Sequence, residues 1–339
     1  MAQNALSETE YTDDPLDSAS GSFSATVLSL SASTTYYYQA FMTVWNGSAY
    51  TEITSSIGSF TTSAAQNHPA PASGWLELPS SVGAADYCGT TYGSGGETGP
   101  NRNYSFNYSY SRFASLWVAY PLCGSHKSGT AKTSTWRYYP GFSSDYQVKI
   151  VSNSYGTMYG DDTYSRGHQC PNASRKSDEQ MNMQTYYSIN QTPQRQTNFN
   201  ASIWGSLEGA VRGLVSSATD TVYVATGPVY QKVGGNETIN YLTGAAGKNA
   251  NPVNLAIPNY YWKAILKVKR NGAGDITGAK AIGFWFVHQD YDKNTPFANY
   301  AVSVDQIETW TGFDLFTNLP DGIEATAETN TSWSDFQSY

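Results

Sequence analysis

Most of the side chains in this sequence that could act on a phosphate lie between Asp161 and Arg212. They are a histidine, two asparagines, a glutamate and two arginines: His168, Asn190, Asn200, Glu208, Arg166 and Arg212. An imidazole can move a proton, amide and carboxylate oxygens are ligands that suit Mg²⁺, and guanidinium groups pair with phosphate oxygens. The set is therefore suited to phosphodiester chemistry.

Four positions in this stretch are spaced four residues apart: Asn200, Trp204, Glu208 and Arg212. On a helix each such step advances about 6 Å and turns about 40°, so these side chains would follow one slowly drifting stripe. An adjoining apolar stripe would face the core, and it consists of Ile203, Leu207, Ala210, Val211 and Leu214. A plainer interpretation stays open, in which Asn200 lies near a helix cap and Glu208 and Arg212 form an ordinary ion pair worth about 0.2–0.5 kcal/mol.

Arg166 and His168 are separated by Gly167 and follow the polar, turn-forming run 161–164. This order predicts a cation and a general base on one exposed segment. A single loop histidine is most often structural, but its combination with the spaced helix favours a site.

These motifs resemble the DNA/RNA non-specific endonucleases, a family with the ββα-metal (His-Me finger) active site. The resemblance rests on Arg166-Gly167-His168, on Asn190-Gln191-Thr192-Pro193-Gln194, on Asn200 four residues before Trp204, and on Leu207-Glu208. It implies an α+β domain, with a central antiparallel-rich sheet flanked by helices and carrying the ββα-metal motif. The activity that it implies is metal-dependent, sequence-non-specific hydrolysis of DNA and RNA.

The resemblance also implies a role for each residue. His168 is similar to the general base, and Asn200 to the one direct ligand of Mg²⁺, with Mn²⁺ and Ca²⁺ as alternatives. Glu208 is similar to a carboxylate that holds metal-bound waters, and Asn190 to a supporting amide. Phosphate-binding arginines are implied at Arg166 and Arg212, with a looser match at Arg137.

Two positions depart from the family pattern. Ser165 stands where the family has aspartate, and Cys170 stands where a small residue is usual. Because serine can still hydrogen-bond to neighbouring backbone, we expect the geometry to survive. Cys170 is expected to be packed rather than reactive.

The elements that must position this site are strands and two helices. Apolar or alternating runs predict strands, and they occur at 104–120, 222–229, 261–268 and 281–287. Helical periodicity is clear at 203–214 and weaker around 304–308. Strands with a helix between them indicate an α+β domain over residues 74–339. Its acidic end, Asp321 to Tyr339, is expected to be loosely ordered.

The first 65 residues form a separate segment. Strand-like runs at 23–30, 36–44 and 57–62 resemble the closing strands of a fibronectin type III domain, which predicts a small, partial β-sandwich. Residues 66–73 have the Pro/Ala composition of a linker. We expect the tyrosines at 36–38 to pack between strands, although they could also stack on a ligand.

Composition bounds the cellular setting and the partners. With 27 Tyr, 9 Trp and only 14% charged residues, the chain is typical of secreted or cell-surface β-rich proteins, and it contains no membrane span. Its start lacks a signal peptide and is expected to reflect a removed export signal. Cys88 and Cys123 could form one disulfide, or all three cysteines could be unpaired.

The net charge of −8 at first disfavours a nucleic-acid partner. However, residues 1–66 hold six acids and residues 314–339 hold five, and neither end has a Lys or Arg. The body between them is therefore mildly basic.

Two rival functions stay open, and the sequence predicts no oligomeric state. One is a catalytically impaired nucleic-acid-binding descendant, in which Ser165 marks the loss of activity. The other is a surface adhesion or glycan-binding protein. That function would not explain the spacing of the motifs between Arg166 and Arg212.

Overall fold

The computed structural model describes residues 35–45, 47–61, 74–80, 86–98, 102–150, 163–217, 220–243 and 254–339. The chain divides into two compact units, residues 1–65 and 66–339. The predicted strand at 23–30, the linker at 66–73 and the turn at 161–162 lie outside the described residues.

The first unit contains two separate two-stranded antiparallel sheets. One pairs β1 (Thr35–Tyr38) with β4 (Gly58–Thr61), and the other pairs β2 (Phe41–Trp45) with β3 (Tyr50–Thr54). The strand predicted at 36–44 is therefore two strands that belong to different sheets. Tyr37 is exposed, so the packing predicted for 36–38 is wrong for this side chain. Tyr38 is also largely exposed, but its ring contacts Phe60 on the paired strand, with centroids 6.3 Å apart.

The second unit is built on a seven-stranded antiparallel sheet with the strand order β15-β14-β13-β10-β7-β6-β5. Its strands are β5 (Tyr87–Tyr92), β6 (Arg102–Ser109), β7 (Ala114–Cys123), β10 (Thr221–Val229), β13 (Tyr260–Arg270), β14 (Ile276–Val287) and β15 (Ala301–Val302). Two short strands, β11 (Asn240–Leu242) and β12 (Leu255–Ile257), pair separately. The strands predicted from apolar runs are confirmed, and so is the α+β class with a central antiparallel sheet.

Both faces of the large sheet are buried, which explains why its strands read as continuous apolar runs. Along β13, Tyr261 and Ile265 pack into one core, which also holds Trp204 and Leu207. The alternate residues Trp262 and Ala264 pack into a second core, together with Val304 and Ile307. Successive strand side chains point to opposite faces, so one strand supplies two cores.

Six α-helices accompany these strands in the described part of the chain. They are α1 (Gly124–Lys127), α2 (Glu179–Gln184), α3 (Gly205–Gly213), α4 (Val304–Thr311), α5 (Asp321–Ala327) and α6 (Trp333–Ser338). Helices α3 and α4 correspond to the two helices that the periodicity predicts. No described helix qualifies as a membrane-spanning segment.

The C-terminal region is folded, so the prediction of a loosely ordered end is wrong. Ser332 caps α6 by accepting a hydrogen bond from the Asp335 backbone N–H. Phe336 is fully buried in the first core, and Trp333 stacks on it with ring centroids 5.8 Å apart. The prediction failed because it relied on the acidic composition of this region. The region contains a short helix whose aromatic side chains pack against the first core.

The predicted disulfide between Cys88 and Cys123 is wrong, because all three cysteines are free. Cys88 lies opposite Asn107, which lies opposite Trp117, and Cys123 is six residues further along β7. That offset corresponds to about 20 Å of strand, whereas a disulfide needs Cα atoms within about 7 Å. The alternative with unpaired thiols is confirmed.

We predict that Phe336→Ala lowers the free energy of unfolding by about 3–5 kcal/mol, because it leaves a cavity in the first core. Urea denaturation followed by circular dichroism measures the change. The exposed neighbour Gln337 provides the matched control, and Gln337→Ala should change little. Equal stability of the two variants would contradict the packing described for α6.

Candidate active site

The site begins at a pair of antiparallel strands, β8 (Tyr164–His168) and β9 (Gln191–Arg195), which form a sheet of their own. Arg166 and His168 are two residues apart on β8 and so share one face of the strand. Gly167 points the other way, where an added Cβ would collide with the buried Gln194 side chain. Only glycine allows this close approach of the two strands.

His168 is held between two aromatic rings. Its ring centroid lies 4.8 Å from that of Trp136 and 4.8 Å from that of Tyr186. Burial lowers the pKa of His168 to about 4, so the imidazole is neutral at physiological pH. Of the two ring nitrogens, Nε2 is buried and has no hydrogen-bond partner among the described residues.

Trp136 also contacts the first arginine of the motif, with its ring centroid 5.7 Å from the Arg166 guanidinium carbon. Arg137 follows it in sequence and is exposed. The backbone N–H of Arg137 donates to Tyr186, and its carbonyl accepts from Ser188. The segment that carries Trp136 and Arg137 is thus fastened beside the His168 pocket.

Asn190 is fully buried, and its side-chain amide forms hydrogen bonds with backbone groups. Its Oδ1 accepts from the Cys170 N–H at 2.8 Å, and its Nδ2 donates to the carbonyls of Cys170 and Thr185. These bonds fix the chain immediately after His168. Asn190 therefore holds neighbouring backbone in place, and the supporting role that the resemblance implies for it stays a prediction. Cys170 is fully buried, as expected.

Asn200 is tied to β8 through the serine that departs from the family pattern. Its Nδ2 donates to Ser165 Oγ at 3.0 Å and to Gln196 Oε1 at 3.4 Å. The Ser165 hydroxyl in turn donates to the Gln194 backbone carbonyl. Two acceptors on Nδ2 set the orientation of the amide and leave its Oδ1 pointing away from them.

The helix after β9 is broken, which corrects the predicted single stripe. Residues Gln196–Trp204 form a π-helical segment with a non-helical residue, Ser202, before α3 begins at Gly205. Trp204 is 1% exposed and packs in the first core, so it does not belong to the polar face. Local π-helical geometry often occurs at functional sites, because it redirects side chains.

Glu208 and Arg212 lie on α3 as the spacing predicts, with Oε2 and Nη1 4.0 Å apart. This separation exceeds that of a hydrogen-bonded pair, so both groups retain capacity for another partner. Burial raises the pKa of Glu208 above its ordinary value, and the positive charges of Lys263 and Arg212 oppose that rise. Arg212 Nη1 is buried without a hydrogen-bond partner in the described part of the chain.

Lys263 is the residue that sequence reasoning missed. It is fully buried on β13, its Nζ donates to Thr226 Oγ1 at 3.2 Å, and it lies 4.6 Å from the centroid of the Trp204 ring. Burial lowers its pKa, and the negative charge of Glu208 opposes that effect. The signal available in the sequence was a lysine inside the run 260–266, whose other residues are Tyr, Trp, Ala, Ile and Leu.

The residues present fit a divalent cation at Asn200. The Asn200 Oδ1 is an oriented oxygen, and Glu208 adds a carboxylate on the following helix. Oxygen ligands of this kind suit Mg²⁺, which keeps several of its waters and so needs few protein ligands. The order of elements is strand, strand, helix, with His168 on the first strand and Asn200 and Glu208 after the second.

Comparison with known proteins identifies relatives of this domain. A family model described as "DNA/RNA non-specific endonuclease" matches residues 83–322. The chain is 27% identical over 227 residues to a nuclease from Nostoc sp., covering 66% of this chain and 75% of that protein. It is 30% identical over 224 residues to a nuclease from Serratia marcescens, covering 65% of this chain and 74% of that protein.

Other matches are shorter or more distant. Mitochondrial nuclease 1 of Schizosaccharomyces pombe is 30% identical over 163 residues, covering 47% of this chain and 48% of that protein. A chain of the crystal structure of the EndoG/EndoGI complex aligns with a TM-score of 0.52 and 20% identity, covering 65% of this chain and 86% of that chain. This last similarity shows a shared fold.

We predict that Lys263→Met raises the pKa of Glu208 further, because it removes the largest opposing charge. The carboxyl stretching band in infrared spectra, titrated with pH, measures the shift. The band of Glu208 is assigned by its loss in Glu208→Gln. An unchanged titration in Lys263→Met would show that the buried lysine does not act on this carboxylate.

Proposed function

Because the chain belongs to the DNA/RNA non-specific endonuclease family, we propose that it cleaves DNA and RNA at the site on β8 and α3. It is a nuclease, a phosphodiester hydrolase, as its family and its named relatives are. The observation that supports this location is the Ser165–Asn200 hydrogen bond, which joins the strand of His168 to the segment that leads into the helix of Glu208.

His168 is the proposed general base. Its lowered pKa keeps it neutral, so it can accept a proton from the attacking water without first losing one. Since Nε2 is buried, we assign the proton transfer to Nδ1. The rings of Trp136 and Tyr186 hold the imidazole in one orientation and exclude bulk water from its sides.

Asn200 and Glu208 are the proposed holders of Mg²⁺, with Mn²⁺ or Ca²⁺ as alternatives. When bound, the cation would polarise the phosphate and stabilise the leaving oxygen. Asn200 would bind through Oδ1, and Glu208 would accept hydrogen bonds from waters. Lys263 and Arg212 favour the ionised form of Glu208, which is the form that can do so.

Arg166 and Arg212 are the proposed phosphate-binding arginines, with Arg137 at the outer edge. A preorganised donor of this kind typically contributes about 10²–10³ in rate. Contacts to phosphate oxygens carry no sequence information, so cleavage without sequence preference follows. Nucleic acid, both DNA and RNA, is the proposed substrate.

The impaired-descendant alternative receives no support from Ser165. The hydroxyl accepts from Asn200 and donates to the Gln194 carbonyl, so both of its neighbours stay in place. A surface adhesion function is likewise unsupported, because it does not account for the half-buried Glu208 and the fully buried Lys263 that influence each other's charge.

We also propose that residues 1–65 derive from a fibronectin type III module and that the protein acts outside the cell or at its surface. The four described strands of this segment and the Tyr-rich, charge-poor composition support these proposals. Protease treatment of intact cells, with immunodetection of the chain, tests the location.

We predict that His168→Ala reduces plasmid cleavage in Mg²⁺ by about 10²–10⁴-fold, since general-base catalysis contributes that much. Initial rates of supercoiled-DNA and RNA cleavage measure the loss, with EDTA as the metal-free reference. His126→Ala, at a half-buried histidine on α1, is the matched control and should retain activity. Full activity of a folded His168→Ala would remove His168 as the base.

A second prediction concerns the serine. Ser165→Ala removes the acceptor that orients Asn200, so the Mg²⁺ concentration for half-maximal rate should rise about 10–100-fold. Ser165→Thr, which keeps a hydroxyl, should stay close to the parent, as should Ser206→Ala on the exposed side of α3. The same metal requirement in Ser165→Ala and the parent chain would disprove the orienting role.

A further inference from the structure

Three carboxylates meet beside the second core, on the opposite side of the sheet from the active site. Asp305 and Glu308 lie three residues apart on α4, so they project from the same side of that helix. Glu328 follows the last residue of α5. One oxygen from each of the three residues lies within 4.8 Å of the other two.

Glu328 gives this cluster its unusual character. Its side chain belongs to a residue only 5% exposed, and its Oε1 has no hydrogen-bond partner among the described residues. A buried carboxylate without a partner is costly, and the cost falls when a cation or a proton joins it. Burial and then the charges of Glu308, Glu324, Asp305 and Asp314 raise the pKa of Glu328 to about 9.

Glu308 is fixed by the loop that follows its helix. Its Oε1 accepts a hydrogen bond from the Leu315 N–H at 2.7 Å. The carboxylate therefore keeps one orientation, and a second oxygen stays available. Burial is the main cause that raises the pKa of Glu308 to about 7, with Asp314, Asp305 and Glu324 adding to it.

The backbone holds the three groups together before any ion binds. The Val304 N–H at the start of α4 donates to the Glu328 carbonyl at 2.9 Å. Val304 and Ile307 on α4 and Ala327 at the end of α5 are all buried in the second core. The carboxylates are thus brought together by packing and hydrogen bonds that hold despite their mutual repulsion.

We propose that Asp305, Glu308 and Glu328 form a structural site for one divalent cation, with Ca²⁺ as the preferred ion. Ca²⁺ binds oxygen ligands at about 2.3–2.6 Å in flexible geometry, so two ligands of one ion can lie up to about 5 Å apart. The spacing of the three oxygens satisfies that limit. Waters complete the coordination shell on the exposed side, at Asp305.

The bound ion neutralises the buried charge of Glu328 and links α4 to the end of α5. Its effect is on stability, because the helix pair packs on the second core while Trp204 and Leu207 pack in the first. This site is therefore independent of the cation proposed at Asn200.

The test uses the full chain, freed of metal with EDTA and dialysed, at pH 8.5. A hundredfold excess of Ca²⁺ over its Kd should raise the Tm by about 5 °C or more. Isothermal titration calorimetry with Ca²⁺ should still detect one binding site in the Asn200→Ala variant. In that variant the cation proposed at the active site has lost its direct ligand. Glu328→Gln should abolish the Tm response, while the matched Glu97→Gln, at an exposed acid, should keep it.

Metal-free Glu328→Gln should be at least as stable as the metal-free parent, because an uncharged amide replaces a buried carboxyl group that has no hydrogen-bond partner at Oε1 among the described residues. It should still cleave DNA in Mg²⁺. Three results would overturn the site: no Tm response to Ca²⁺ in the parent chain, an equal response in Glu328→Gln and Glu97→Gln, or a response lost only in Asn200→Ala. Loss of cleavage in His168→Ala is a separate readout, so the two proposals can fail independently.

Discussion

The hydrogen bond from Asn200 to Ser165 is the contact on which the rest of the site depends. It joins β8, which carries Arg166 and His168, to the helical segment that leads into Glu208 and Arg212. Strand pairing brings β8 and β9 together, but pairing alone does not orient an amide. The hydroxyl does so by accepting from Nδ2 while its own proton goes to the Gln194 carbonyl. A carboxylate at this position could only accept in its ionised form, so serine reaches the arrangement by a different hydrogen-bond pattern.

A second constraint is the buried charge beneath α3. Lys263 stands on a central strand among apolar neighbours, and it is compensated by Thr226, by the face of Trp204 and by the negative charge of Glu208. Burial opposes ionisation of both groups, whereas each charge favours the other. The sheet therefore supplies more than a scaffold, because its central strand sets the electrostatic environment of a proposed catalytic carboxylate.

The sequence predicted the frame because burial of both sheet faces leaves long apolar runs at β7, β10, β13 and β14. Local motifs also predicted that Arg166 and His168 share a segment and that Glu208 and Arg212 share a helix. Ideal helical geometry failed at Trp204, because the π-helical turn before Gly205 changes the direction of the side chains. The environment of Lys263 and the Asp305–Glu308–Glu328 cluster depend on contacts between residues that are distant in the sequence. Local sequence periodicity cannot predict such contacts. The same reason explains the wrong disulfide, since strand register separates Cys88 from Cys123.

The central claim is that Asn200 directly binds the cation used in cleavage. Anomalous diffraction from crystals of the full chain equilibrated with Mn²⁺ tests it most directly. We expect an anomalous peak about 2.2 Å from Asn200 Oδ1, near Glu208, that disappears in Asn200→Ala together with cleavage. A Mn²⁺-supported cleavage activity in crystals and solution with no peak beside Asn200 would contradict it.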